Sequence, residues 1–402
     1  MIFCIAALII NIIVSMLCTI KGSAHDGYRL ITLLPAFFSF CLLFSPKIRT
    51  LTSNYIGIKI LHITMWLRYI IMPLMIALST GVNGSGMNGL GLEPKPASIE
   101  VAIIMMVFEM IGVFIVINIA GEHLLLKKKL KQTFEVKQAE KKPIIFYILI
   151  LLSLGLIVLY PDLLNSFSFG TFNEISKTTS YFFGLDIRII MISQIASVCI
   201  IVSKMGKLYS VKKKSIYYLF ALLVCIIHIM VFKGENRASI VITIIPSLMV
   251  LKVAFPQKHK VSCTLLLSSG IAILALLTLY RIYAVTPWRP QGGEQDINIE
   301  YIARSLQAYS SGPRNIALGI EAMSYYKSII GIGTFFSDIL IWTGYLGNYI
   351  SRILGEPFIG TSYMFNAYLY NYNMYDQGDQ IIPMVIQSYS YFGYFGSLVF
   401  SM

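Results

Sequence analysis

Lys233-Gly234-Glu235-Asn236-Arg237 separates two long apolar runs, and Arg281 leaves the apolar run that follows them. A tight hairpin at this turn puts Arg237 at the amino-terminal end of the next helix. Unpaired backbone N–H groups and the helix dipole favour an anion there. Arg281 emerges at the same membrane level, so two planar guanidinium forks can converge on one pyrophosphate, whose oxygens they match in pairs. The ordinary alternative is that both arginines snorkel at span ends, although Lys would serve that purpose equally well. Further along come Pro287-Trp288-Arg289-Pro290, Arg304 and Arg314. Arg304 and Arg314 are ten residues apart and would share a face if one helix carried both, but Pro313 argues for a break between them. Pairing with Glu294, Asp296, Glu300 and Glu321 on a solvated surface is the competing reading of this series.

Other groups suit a sugar. Tyr363, Tyr368, Tyr370, Tyr372 and Tyr375 alternate with Asn366, Asn371 and Asn373. Aromatic rings and hydroxyls match sugar C–H faces and hydroxyls, although tyrosines also gather in the aromatic belt of a membrane interface. Glu235, Glu294, Asp296, Glu300, Glu321, Glu356, Asp376 and Asp379 are candidates for a base that deprotonates an acceptor hydroxyl, and spacing does not choose among them. The five histidines are scattered. His228 lies about one turn before Lys233 and reads chiefly as a helix-packing residue. All six cysteines fall in apolar runs, against a disulfide framework or a Cys-ligated metal. No Walker, HExxH or GxSxG pattern occurs, so ATP-driven pumping and metal-dependent hydrolysis are poor candidates.

The elements that must position these residues are membrane helices. Of 402 residues, 56% are hydrophobic and 13% charged, about half the charge of a soluble domain. A span takes about 20 apolar residues. Runs of suitable character lie near 1–20, 30–45, 56–80, 99–120, 143–160, 183–203, 215–232, 238–254, 261–280 and 383–402. Met1 leads directly into the first run, which reads as a span rather than a cleaved signal peptide. Alternation puts 17 Lys and Arg49 inside, against five Lys and seven Arg outside. Lysine is enough to satisfy the positive-inside rule, so the arginines gathered outside call for another reason. The net charge of +13 then reflects anionic lipid rather than nucleic acid. The stretch 281–380 forms a large outer loop, read as carrying amphipathic or re-entrant helices, including one within 328–354. The whole reads as one membrane domain, 1–402.

Several short elements stand in a recognisable order. Gly234-Glu235-Asn236-Arg237-Ala238 lies between two spans. Gly331-Ile332-Gly333-Thr334-Phe335-Phe336 lies in the large loop. Gly378-Asp379-Gln380 and then Tyr391-Phe392-Gly393-Tyr394-Phe395-Gly396 open the last span. Over roughly 215–402 the chain resembles the Wzy-type O-antigen and capsular polysaccharide repeat-unit polymerases, related to the O-antigen ligases. In such proteins the first turn often carries Ser where Asn236 stands. The resemblance implies an all-α, GT-C-like polytopic membrane protein with about 10–12 transmembrane helices. It implies glycosyl transfer at the outer face of the bacterial cytoplasmic membrane, between undecaprenyl-pyrophosphate-linked oligosaccharides, with no cofactor or metal. Arg237, Arg281 and Arg289 would act at the pyrophosphate. Arg304, Arg314, Tyr368, Tyr372 and Asp379 would bind substrate, and a chain-length regulator and a flippase would be partners. An O-antigen ligase is the nearest alternative. A lipid-linked oligosaccharide flippase is the alternative from another class, and it predicts charges deep within spans such as Arg68, Glu109 and Arg188.

Overall fold

The computed structural model describes residues 2–22, 26–79, 92–133, 144–161, 183–230, 237–283, 299–340, 353, 355, 359–370 and 382–399. Some side chains inside these ranges, those of Arg49, Arg188, Arg237 and Arg281 among them, lie outside the description. The described residues are helical, with no strand among them.

In chain order the helices are α1 (Ile2–Leu17), α2 (Leu33–Phe44), α3 (Pro46–Asn54), α4 (Ile56–Trp66), α5 (Met72–Leu78), α6 (Pro96–Thr133), α7 (Ile144–Leu159), α8 (Phe183–Lys212), α9 (Ser215–Met230), α10 (Arg237–Ala254), α11 (His259–Tyr283), α12 (Ile299–Tyr309), α13 (Pro313–Tyr325), α14 (Ile332–Leu340), α15 (Thr361–Tyr370) and α16 (Met384–Gly396). A π-helical turn, Leu67–Ile71, joins α4 to α5. Each apolar run read from the sequence except the last coincides with one of these helices or with the α4–α5 composite. Among the described residues three stretches are long and apolar enough to cross a membrane: Gly57–Leu78, Pro96–Gly121 and Ile189–Lys212. Large apolar side chains on these and the shorter apolar helices point outward. On α7, Ile145, Leu151 and Leu159 are each about 70% exposed, an arrangement that water penalises and hydrocarbon does not.

The chain divides into two compact units, Met1–Val136 with Pro290–Met402, and Lys137–Arg289. In the second unit α8 packs against α7, α9 and α10, and α11 lies against α10. Small residues permit the close approaches: a Cβ on Gly206 would stand 2.8 Å from the Cβ of Ala254, as helices in lipid favour. His228 joins α9 to α10 through Nδ1, 3.2 Å from Ser247 Oγ, while its buried Nε2 has no hydrogen-bond partner among the described residues.

In the first unit one apolar core runs from α1 through α6 into α12, α13, α15 and α16. Phe38 sits at its centre, ringed by His62, Trp66, Tyr69 and Phe114 with centroids 5.9 to 6.4 Å away. Pro313 begins α13 at a position where its missing N–H costs nothing, so α12 and α13 are separate helices, as Pro313 suggested. α13 is more than a helix laid on a surface. Ile316, Ala317, Leu318, Ile320, Ala322 and Met323 are all buried, against α6, α15 and α16.

The last apolar run departs from the expected span. α16 covers 13 residues and Gly393 within it takes φ +68°, so among the described residues 383–402 is not one continuous helix. At 1.5 Å per residue α16 spans about 20 Å, short of a hydrocarbon core of about 30 Å.

The α13–α16 contact makes a test of this packing. A Cβ at Gly319 would lie 2.8 Å from Ile386 Cγ1, so Gly319→Val is expected to cost about 1–3 kcal/mol by overpacking. The thermal unfolding midpoint of the chain in detergent should fall, and Ile386→Ala in the same chain should restore part of it. An unchanged midpoint for Gly319→Val would contradict the contact.

Candidate functional site

Three stretches that alternation places on one side of the membrane meet in the first unit: the turn after α1, the segment entering α6, and the α12–α13 turn. Gln307, on the last turn of α12 and 1% exposed, joins the first of these to the third. Its Oε1 accepts from the Tyr28 hydroxyl at 3.2 Å and from the Arg314 backbone N–H at 3.1 Å. Two donors on one oxygen fix which end of the amide is which. The Nε2 group is therefore oriented, buried and without a hydrogen-bond partner among the described residues. Such a donor calls for an acceptor.

Positive charge surrounds that donor. Arg314 follows Pro313 in the first turn of α13, where the dipole adds its own attraction for an anion. Its Nη2 donates to the Leu92 carbonyl at 2.8 Å, tying down the segment that enters α6. Burial, and then the neighbouring Arg304 charge, draw the Arg314 pKa down, while Tyr28 and Glu93 pull the other way. A guanidinium with so high an intrinsic pKa stays charged regardless, so part of its desolvation cost is available for a ligand to relieve. Arg304, one turn before Gln307, forms an i,i+4 ion pair with Glu300. Burial pushes the Tyr28 hydroxyl up to about 12, opposed by the Gln307 bond and the Arg314 charge, so it acts as a neutral donor. The set suits a phosphate-type anion.

A carboxylate lies farther along the same helix. Glu321 is seven residues from Arg314, two turns and about 10 Å along the α13 axis on the same face. Its Oε1 accepts from the Lys95 backbone N–H at 2.7 Å and its Oε2 from the Tyr368 hydroxyl at 3.3 Å. Burial, then the Glu321 charge, raise the Tyr368 pKa. Tyr368 also packs near Tyr325, the rings tilted with centroids 6.0 Å apart. A buried arginine and a tyrosine-supported carboxylate thus share one face of α13.

Asp338 has a different task. It accepts from the Thr361 N–H (2.9 Å) and hydroxyl (2.5 Å), and so caps α15. It also accepts from the Tyr391 hydroxyl at 2.7 Å. The Phe335 and Tyr391 rings meet edge-on at 5.1 Å. Two of the short elements behind the family resemblance, Gly331–Phe336 and Tyr391–Gly396, therefore touch.

The sequence-derived residues divide as follows. Arg304, Arg314 and Tyr368 fall in this region, the arginines gathered at Gln307 and Tyr368 at Glu321. Arg237 is the first residue of α10 and Arg281 stands in the last turn of α11. These two helices pack together, joined by the short connection 255–258. Their backbones accordingly bring the two residues to one end of the second unit. Their side chains, together with Arg289, Tyr372 and Asp379, lie outside the described residues. Reading the sequence missed Gln307, Tyr28 and Asp338. Nothing local marks Gln307, whose partner Tyr28 is 279 residues away. Among the described residues no group of His, Cys, Asp and Glu could hold a metal ion. Compared with protein-family models, curated proteins and solved structures, the chain matches none.

Asp338 yields a pH test. Burial holds its carboxyl above the ordinary value, against the bonds from Thr361 and Tyr391. Folding therefore favours its protonated form, and the stability it contributes is greatest in acid. That stability declines as pH rises from roughly 3.9, the unfolded value, through the raised folded one. Asp338→Asn cannot ionise. The wild-type unfolding midpoint, measured relative to Asp338→Asn, should fall across that window, and parallel curves would contradict the assignment.

Proposed function

We propose that this chain is a polytopic membrane glycosyltransferase with about ten or more membrane-crossing helices. It joins lipid-pyrophosphate-linked oligosaccharide repeat units into O-antigen or capsular polysaccharide at the outer face of a bacterial cytoplasmic membrane. The observation that carries this reading is the convergence at the start of α13: the oriented Gln307 donor with Arg304 and Arg314 beside it. The lipid pyrophosphate is held there, and positive charge stabilises the negative charge that develops as the sugar leaves. Glu321, two turns along and supported by Tyr368, takes the proton of the acceptor hydroxyl. The bond broken joins the sugar anomeric carbon to the pyrophosphate oxygen, and the bond formed joins that carbon to the acceptor oxygen. The lipid pyrophosphate departs with the electron pair. Arg237 and Arg281 belong to the second unit and enter the proposal through the resemblance alone, which gives them a role toward a pyrophosphate.

A second reading has one observation in its favour. Arg68 and Glu109 form an ion pair deep within two of the long apolar helices, as a lipid-linked oligosaccharide flippase would predict. The two readings part in a deletion strain. Loss of a polymerase leaves single-unit glycan outside, whereas loss of a flippase leaves lipid-linked units on the cytoplasmic leaflet.

Complementation of that strain tests the site. Arg314→Gln and Glu321→Gln should each remove long-chain polysaccharide, by about a hundredfold or more for groups acting on the transition state, while single-unit glycan persists. Arg237→Ala should do the same and Arg237→Lys should recover little, because a point charge does not replace the fork. Full-length ladders from all four variants would overturn the proposal.

A further inference from the structure

Arg68 and Glu109 stand at the middle of Gly57–Leu78 and Pro96–Gly121, two of the three helices suited to crossing a membrane. Arg68 Nη2 lies 2.6 Å from Glu109 Oε2, with both side chains largely buried. The guanidinium also rests over the Tyr69 ring, 5.4 Å from its centroid, and the Tyr69 hydroxyl donates to Glu109. Arg68 Nε has no hydrogen-bond partner among the described residues. Holding two helices together does not require this. Apolar side chains of similar volume do so at least as well, and ionisable groups at membrane depth generally mark a working part.

The backbone at Arg68 shows what the pair is set to control. Leu67–Ile71 is a π-turn rather than α-helix, closed by the Met72 N–H donating to the Leu67 carbonyl. Such turns concentrate where a helix serves a site. Met72 is fully buried, and its Sδ lies 3.5 Å from Ser310 Oγ. A Cβ added to Gly312 would stand 2.6 Å from that sulfur and 2.8 Å from Gln307 Cα. The residue that closes the π-turn is thus the seat of the α12–α13 turn, and Gln307 lies directly across Gly312 from it. A shift of one residue in the π-turn would move Met72 by about 1.5 Å along the axis, enough to unseat a contact this tight.

We propose that the Arg68–Glu109 ion pair is a positioning pair for the anion site: by fixing the π-turn it holds Met72 under the Gly312 turn and so aims Gln307 and Arg314 at their ligand. This rests on the anion-binding reading of those two residues. The experiment is a calorimetric titration of inorganic pyrophosphate into the full chain in detergent, with the unfolding midpoint recorded for each variant. Glu109→Gln and Arg68→Gln should each weaken binding by about threefold to thirtyfold, the usual range for coupling through packed side chains. The exchange Arg68→Glu with Glu109→Arg should recover most of the loss. Lowered midpoints with an unchanged Kd would make the pair merely structural and overturn the proposal. If Glu109→Gln does not yield a folded chain, Arg68→Lys decides, since it keeps the charge but loses the fork, and an unchanged Kd again overturns it. Arg314→Gln separates the two levels. Lost binding in that variant upholds the anion reading whatever the pair does, and wild-type binding sinks that reading and the positioning proposal with it.

Discussion

The single side-chain oxygen of Gln307 accepts from two other pieces of chain and so ties three together. Tyr28 comes from the turn after the first helix, Arg314 from the start of α13, and Gln307 itself from the end of α12. In a low-dielectric interior each of these groups would be costly to leave unpaired, so the amide fixes their mutual positions. The remainder of the site follows from that constraint. Arg314, held by its backbone, can reach the Leu92 carbonyl with its side chain and stay near Arg304. Glu321 falls on the same face of α13 by helical periodicity. The same constraint leaves the amide nitrogen buried and idle, which is the strongest single indication that a ligand belongs there.

An exterior rich in apolar side chains, suited to hydrocarbon, gives such polar interactions their weight. Exposed isoleucines and leucines on the outward faces leave the hydrophobic effect little role between helices once the chain is in a bilayer. Specific contacts then determine the register: small residues such as Gly206 and Gly319 at crossings, the Asp338 cap on α15, and the Arg68–Glu109 pair. In the first unit Met72 belongs to the apolar core beside which Gln307 is buried. Surface pairs such as Arg29 with Glu100 contribute much less, since water and salt screen them.

What the sequence could reveal follows from the range of each signal. Helix positions were legible because runs of apolar residues are local, and the break at Pro313 was legible because proline acts on its own backbone. Arg68 and Glu109 were visible as charges within apolar runs, but their pairing depends on how α4–α5 meets α6. The break in the last apolar run was not legible because hydropathy is indifferent to Gly393 adopting a positive φ. Arg304 and Arg314 were picked out for their chemistry, whereas the residue that organises them was not. A glutamine near a helix end resembles any other until its partner from the opposite end of the chain is known. Asp338 was not picked out, since its cap on Thr361 spans 23 residues.

The central claim is that the Gln307 amide donates to a phosphate-type ligand. It can be observed directly in chain labelled with ¹⁵N-glutamine, using Gln307→Leu to identify its side-chain resonance. On titration with inorganic pyrophosphate that resonance should shift and saturate, while those of the other glutamines stay in place. A Gln307 resonance that does not move at saturating pyrophosphate would contradict the account.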